Sequence, residues 1–121
     1  MKNILVVDDE RDVRNVLGDM LDFLGYHVTA VPDGKKALKL ADGGFDLMIT
    51  DLNMPKMGGK KLLKAIKLRA PHLPVAVVTG YGTKETRDEV TAMGAEGFLE
   101  KPFRIAEVKN LVEHTMEASR R

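Results

Sequence analysis

Five short apolar runs, each followed by a segment of helical period, constrain this chain more than any other feature of its sequence. The runs are Asn3–Val7 (NILVV), His27–Val31 (HVTAV), Asp46–Thr50 (DLMIT), Pro74–Thr79 (PVAVVT) and Ala95–Glu100 (AEGFLE). Most are continuous and rich in Val and Ile, the pattern of parallel strands covered on both faces. The first intervening segment, from about Glu10 to Leu24, spaces Val13, Val16, Leu17, Met20, Leu21 and Leu24 by threes and fours. Gly25 stands just past its end, where a left-handed residue is wanted. The second segment starts near Asp33-Gly34, carries Ala37, Leu38 and Ala41, and stops at Gly43-Gly44. The third, from about Gly59 to Arg69, turns Leu62, Leu63 and Ile66 inward. The fourth opens at Thr83, an N-cap residue, and ends at Gly94. The fifth, from about Ile105 to Ala118, buries Val108, Leu111 and Val112. Strand-then-helix alternation of this kind, with short connections, predicts an α/β fold: a parallel sheet with helices on both faces, (βα)5.

Composition sets outer limits. A length of 121 residues suits one domain, expected over 1–121. The absence of Cys excludes disulfides, thiolate metal sites and a cysteine nucleophile, and it fits a reducing, cytoplasmic setting. The 19 Lys+Arg nearly balance 18 Asp+Glu, which argues against direct nucleic-acid binding. The apolar runs are about five residues long, too short for a membrane span, and MKNILVVDDE is no signal peptide.

In open α/β sheets, ligands bind outside the carboxyl ends of the strands. After the first run stand Asp8-Asp9-Glu10, and after the third stands Asp51. The fourth run ends at Thr79, followed by Gly80-Tyr81-Gly82, and the fifth is followed by Lys101-Pro102-Phe103. Asp8, Asp9, Asp51, Thr79 and Lys101 should therefore share one crevice. Crowded carboxylates repel one another, and a hard divalent cation relieves that cost. Mg²⁺ suits such oxygen ligands, and Mn²⁺ is an expected substitute. A cation and a lysine beside an aspartate supply the charge stabilisation that phosphoryl transfer needs. The aspartate itself can serve as nucleophile. Taken singly, Asp8 or Asp9 reads equally well as a helix N-cap, Thr79 as a strand residue and Lys101 as a surface residue. Their conjunction at one edge points to a site.

The segments LVVDDE, GYHVTAVPDGKKAL, DLMITDLNMPKMGG, PVAVVTGYG and GAEGFLEKPF follow in that order between Asn3 and about Glu117. In this respect the chain resembles the receiver domains of two-component response regulators (CheY-like). The resemblance implies a flavodoxin-like, doubly wound, five-stranded parallel sheet of strand order 2-1-3-4-5 in a three-layer sandwich. It implies that Asp51 is the phosphoacceptor and that Asp8, Asp9, Asp51 and the backbone carbonyl of Asn53 hold Mg²⁺. Thr79 then matches the switch hydroxyl, Lys101 the lysine that pairs with phosphoryl oxygen, and Phe98 the aromatic switch. Lys101-Pro102 is expected to be a cis peptide. Gly80 leaves room for the phosphoryl group. Asn53 and Tyr81 stand at positions that tune phosphoryl lifetime in the family, although Tyr81 reads equally well as a plain loop aromatic. The implied partners are a sensor histidine kinase or phosphotransfer protein and a downstream effector or attached output domain. The kinase is expected to meet Arg11, Asp12, Val13, Asn15, Pro102 and Phe103. Homodimerisation through the fourth helix, fifth strand and fifth helix is left open.

Three rival readings differ at identifiable residues. A haloacid-dehalogenase-like phosphohydrolase needs a second Asp two after the nucleophile, where Asn53 stands. A flavodoxin-like FMN or dinucleotide binder needs a Gly- or hydroxyl-rich loop where DDERD stands. A module that never takes phosphate has no use for the full set of Asp8, Asp9, Asp51, Thr79 and Lys101. The basic stripe Lys56, Lys60, Lys61, Lys64, Lys67 and Arg69 reads as a solvated helix face. His27, His72 and His114 share no ligand spacing.

Overall fold

The structure, a computed structural model, describes residues 2–80 and 82–118. Its elements are β1 (Asn3–Val7), α1 (Arg11–Phe23), β2 (His27–Val31), α2 (Gly34–Leu40), β3 (Leu47–Thr50), α3 (Gly59–Arg69), β4 (Val75–Thr79), α4 (Lys84–Ala92), β5 (Gly97–Glu100) and α5 (Ile105–Ala118). All strand pairs are parallel, in the order β2-β1-β3-β4-β5. The chain steps from β1 out to β2, then crosses back to β3 on the other side, so the strand order reverses between β1 and β3. In the register, Val7 lies opposite both Val31 and Thr50, and Thr79 lies opposite Glu100.

Side-chain alternation builds two cores. Leu5, Val7, Met48, Val75 and Val77 pack with Ala37, Leu62, Leu63, Ile66 and Val90 from α2, α3 and α4. Ile4, Val6, Leu47, Ile49, Ala76 and Val78 pack with Leu17, Leu21, Val108, Leu111 and Val112 from α1 and α5. β1, β3 and β4 are covered on both faces, as their sequences imply. The edge strands differ: in β2 only Val31 is buried, and no residue of β5 is. They lie at the margins of the helix layers.

β1 and β2 match their apolar runs, whereas β3, β4 and β5 are shorter than theirs, for a local reason. The Asp46 carboxylate accepts the Asn3 N–H at 2.8 Å, and the Glu96 carboxylate accepts the Val75 N–H at 3.0 Å. Side chains thus replace ladder partners where the sheet begins, and Pro74 has no N–H to offer. The helix starts follow capping chemistry. Asp33 accepts from the Lys36 N–H at 2.8 Å, Thr83 from the Thr86 N–H at 3.1 Å, and Glu107 from the Arg104 N–H at 2.9 Å. Past the ends of α1 and α4, Gly25 and Gly94 take positive φ of 96° and 108°.

One apolar residue of the α1 spacing does not face the core. Val16 is 48% exposed, because Leu17 and Leu21 define the inward stripe of α1 and Val16 stands one step off it. The basic stripe on α3 meets acids on its neighbours: Lys60–Glu89 at 3.0 Å, Lys67–Glu96 at 2.7 Å and Arg69–Asp42 at 3.4 Å. His27, His72 and His114 are all exposed. No helix among the described residues is long and apolar enough to cross a membrane.

The layers predict a contrast within α3. Leu63→Ala, at a fully buried position, should cost about 2–5 kcal/mol. Leu68→Ala, at a position 79% exposed, should stay within about 0.5 kcal/mol. Urea unfolding measures both, and equal losses would contradict this orientation of α3.

Candidate functional site

Where strand order reverses, the ends of β1 and β3 lie side by side and carry Asp8 and Asp51 one residue beyond. The ladder continues past both strands: Asp51 N–H donates to the Val7 carbonyl at 3.0 Å, and Asp8 N–H to that of Val31 at 3.2 Å. Both backbones are therefore fixed by the sheet. Asp8 and Asp51 are 3% and 5% exposed, whereas Asp9 is open to solvent. One carboxylate oxygen from each of Asp8, Asp9 and Asp51 lies within 4.8 Å of the others.

The Asp8 carboxylate is held at both oxygens. Oδ1 accepts the Glu10 N–H at 2.9 Å, and Oδ2 accepts Lys101 Nζ at 3.0 Å. Arg14 donates to the Asp8 carbonyl at 2.7 Å. Lys101 Nζ also lies 3.5 Å from Asp51 Oδ1. Lys101 is placed by the end of β5: its N–H donates to the Thr79 carbonyl at 2.8 Å, and its bond to Pro102 is cis. Thr79 is fully buried, and its Oγ1 accepts from Asn53 Nδ2 at 3.3 Å.

The loop after Asp51 is pressed against the start of α3. A Cβ on Gly59 would collide with the Asp51 carbonyl and with Leu52 Cα, so only glycine fits there. The Gly59 N–H donates to the Leu52 carbonyl at 2.8 Å. Lys56, within this loop, takes a positive φ of 69°.

Burial pushes the Asp51 carboxyl above the ordinary aspartate range. Lys101 opposes that shift, Asp8 adds to it, and the Leu52 N–H opposes it. For Lys101, burial acts to lower the pKa. The hydrogen bond to Asp8 and the charges of Asp8, Asp51 and Glu10 outweigh it, and the ammonium is held above the ordinary lysine value. An acidic, all-oxygen cluster with one open side fits a hard divalent cation, with Asp8, Asp9 and Asp51 as ligands.

The structure thus gathers Asp8, Asp9, Asp51 and Lys101 in one cluster and joins Asn53 to Thr79 beside it. Gly80 is exposed, and a Cβ there would meet no atom within 4 Å. Phe98 is half-buried on β5, with Arg87 of α4 at 5.1 Å from its ring centroid. Val13, Val16, Pro102 and Phe103, with Asp12 and Lys101, line an almost wholly apolar groove of about 410 Å³. Arg11 and Asn15 are exposed on α1 and do not line it. Tyr81 and the terminal Arg120-Arg121 lie outside the described residues. Sequence reasoning gave no role to Glu10, Arg14 or Arg87. Glu10 was readable as a third acid in DDE. Arg87 had no local signal, being eleven residues from Phe98 in the chain.

The family profile described as "Response regulator receiver domain" matches residues 4–113. The chain belongs to this family. It is 38% identical over 118 residues to chemotaxis protein CheY of Pseudomonas aeruginosa, covering 94% of this chain and 95% of that protein. It is 41% identical over 110 residues to response regulator protein FleR of the same species, covering 90% of this chain but 23% of FleR. It is also similar to CpxR of Escherichia coli, of which it covers 44%. The chain thus spans under half the length of the first curated relatives it matches. Among solved structures, CheY4 of Vibrio cholerae superposes with a TM-score of 0.89 at 32% identity, covering 95% of this chain and 98% of that one. NtrX of Brucella abortus does so at 0.92 and 32%, covering 99% of this chain and 28% of that one. Receiver domains serve two-component phosphorelay signalling as phosphoacceptor switches rather than conventional enzymes. They interact with histidine kinases or phosphotransfer proteins and generally bind Mg²⁺ at an acidic pocket, to which the carboxylate cluster corresponds.

The electrostatics predict how stability follows pH. Because the Asp51 pKa is raised on folding, its contribution is fully present below the unfolded aspartate pKa and is lost as pH rises through the higher folded value. Ionised Asp51 therefore destabilises the metal-free protein at neutral pH. In EDTA, Asp51→Asn should melt at a higher temperature than wild type, with the gap closing as pH falls through the carboxylate range. Lys101 has the opposite consequence: its stabilisation is present at neutral pH and disappears only as pH rises through its raised value. Lys101→Ala should cost about 1–3 kcal/mol by leaving two carboxylates unpaired. An Asp51→Asn protein that melts below wild type in EDTA would contradict this account.

Proposed function

We propose that this chain is one receiver unit that takes a phosphoryl group onto Asp51 from the phosphohistidine of a sensor kinase or phosphotransfer protein, with Mg²⁺ as cofactor. The observation that carries the reading is the buried Asp51 carboxylate, clustered with those of Asp8 and Asp9 and with the Lys101 ammonium that reaches both Asp8 and Asp51. An Asp51 carboxylate oxygen attacks phosphorus in line. The new O–P bond forms as the N–P bond to imidazole breaks, and the imidazole leaves with the electron pair and gains a proton from solvent. Asp8, Asp9, Asp51 and the Asn53 carbonyl would hold the cation, which when bound neutralises the acid cluster and the charge of the transferring group. Lys101 faces a phosphoryl oxygen and offsets its charge. The exposed backbone at Gly80 leaves that side open to the group. Asn53, two residues after Asp51, and Tyr81, two residues after Thr79, stand at the sequence positions that tune how readily water reaches the phosphoryl group.

The phosphoryl group brings negative charge and acceptor oxygens. The Thr79 hydroxyl, now bonded to Asn53, turns to donate to it, and Phe98 moves into the vacated space. The surface of α4, β5 and α5 then changes, which a downstream effector or an attached output domain reads. The kinase or phosphotransfer protein docks on the start of α1, at Arg11, Asp12, Val13 and Asn15, and on the Pro102-Phe103 turn. The apolar groove between Val13 and Phe103 supports this choice. One solved relative, with a TM-score of 0.91 at 32% identity, is a beryllofluoride-activated NtrC4 receiver domain dimer, which supports a phosphorylation-dependent homodimer here. Direct binding to nucleic acid or membrane forms no part of the reading, and the setting is cytoplasmic.

Intact mass after incubation with acetyl phosphate tests this. With Mg²⁺, the wild type should gain one phosphoryl group. EDTA or Asp51→Asn should abolish the gain, and Lys101→Ala should slow it by about a hundredfold. No gain in the wild type, or an undiminished gain in Asp51→Asn, would overturn the reading.

A further inference from the structure

Phe98 and Arg87 form a contact that the phosphoryl chemistry does not use. The Arg87 guanidinium lies 5.1 Å from the Phe98 ring centroid, within range for a cation–π interaction. Among the described residues no carboxylate pairs with Arg87. Arg87 stands one turn into α4, its N–H bonded to the Thr83 carbonyl at 2.9 Å. α4 itself is lightly held, since only Val90 of its nine residues is buried. A contact from α4 to β5 therefore bears on where α4 sits.

The sheet register fixes what Phe98 can approach. Phe98 lies opposite Val77, on the face where Val75 and Val77 meet the α2–α3–α4 layer. Thr79 is two residues further along β4 on the same face, about 7 Å away. The Arg87 contact belongs to the ring position seen here, half-buried against the α2–α3–α4 layer. The ring packs against the core and also borders a groove of about 540 Å³, lined by Arg87, Thr91, Ala95, Phe98 and Leu111 among others. A contact made in only one of two ring positions shifts the equilibrium between them by its full differential strength.

We propose that Arg87 is a positioning residue that holds the Phe98 ring in its resting place by a cation–π contact and thereby sets the resting bias of the switch. The proposal rests on the reading of Phe98 as the ring that moves when the site is occupied. An exposed cation–π contact of ordinary strength biases the equilibrium two- to fivefold, about 0.5–1 kcal/mol at 1.36 kcal/mol per tenfold. Linkage requires removal of Arg87 to tighten binding at the acceptor site by the same factor.

Beryllofluoride, a phosphoryl mimic, titrated in the presence of Mg²⁺ gives that equilibrium directly. Arg87→Ala should bind it two- to fivefold more tightly than wild type. In a Phe98→Leu background the same substitution should change nothing. NMR of protein labelled at phenylalanine should show the Phe98 ring signals of ligand-free Arg87→Ala displaced toward those of beryllofluoride-saturated wild type. Equal tightening in both backgrounds would mean that only the charge matters, and would overturn the proposal. So would ring signals that do not move. A wild type that binds no beryllofluoride would instead refute the phosphoacceptor reading, and ligand-free Phe98 ring signals identical in wild type and Arg87→Ala would refute the Arg87 contact.

Discussion

The Lys101 ammonium, set between the carboxylates of Asp8 and Asp51, is the interaction on which the rest of the site depends. Two nearly buried carboxylates at adjacent strand ends repel each other and lose hydration. Without a cation between them, the end of the sheet would be a point of weakness. Lys101 reaches them from β5, the strand edge furthest from β2, and so ties three strand ends together with one charge. The arrangement is incomplete as electrostatics: one ammonium faces three acids, and the Asp51 carboxyl stays raised. That residual imbalance is what a divalent cation is suited to relieve.

The two cores give this cluster a rigid base. β1, β3 and β4 are buried on both faces, so the backbones bearing Asp8, Asp51 and Thr79 have little freedom. Mobility is left to the side. β5 has no buried residue, and α4 buries only Val90. The most thinly packed elements are thus those that follow Thr79 and carry the Phe98 ring. The contact of Arg87 on Phe98 is weak singly, but it acts between elements with few competing restraints.

Much of this was legible in the chain itself. Continuous Val- and Ile-rich runs named the central strands, because a strand covered on both faces cannot alternate. Asp33, Thr83, Gly25 and Gly94 marked helix ends through capping and left-handed geometry that act within a few residues. Strand ends pointed to Asp8, Asp51, Thr79 and Lys101, since all five strands run the same way. Local chemistry fell short at Val16, where helical spacing alone cannot separate the inward stripe from a residue one step off it. It also overextended the strands at Asp46, Pro74 and Glu96, where side chains take over the first ladder bonds.

The sequence by itself determined the alternation of elements, the parallel sheet and the chemical types gathered at its edge. Those follow from period, burial and residue chemistry, which are properties of neighbouring positions. Only the tertiary structure decided that Lys101 pairs with Asp8 more closely than with Asp51, that Asn53 holds the Thr79 hydroxyl, and that Arg87 covers the Phe98 ring. Each of these joins residues brought together by crossovers of the sheet. Their distances depend on how strands and helices settle against one another, and nothing near them in the chain encodes that.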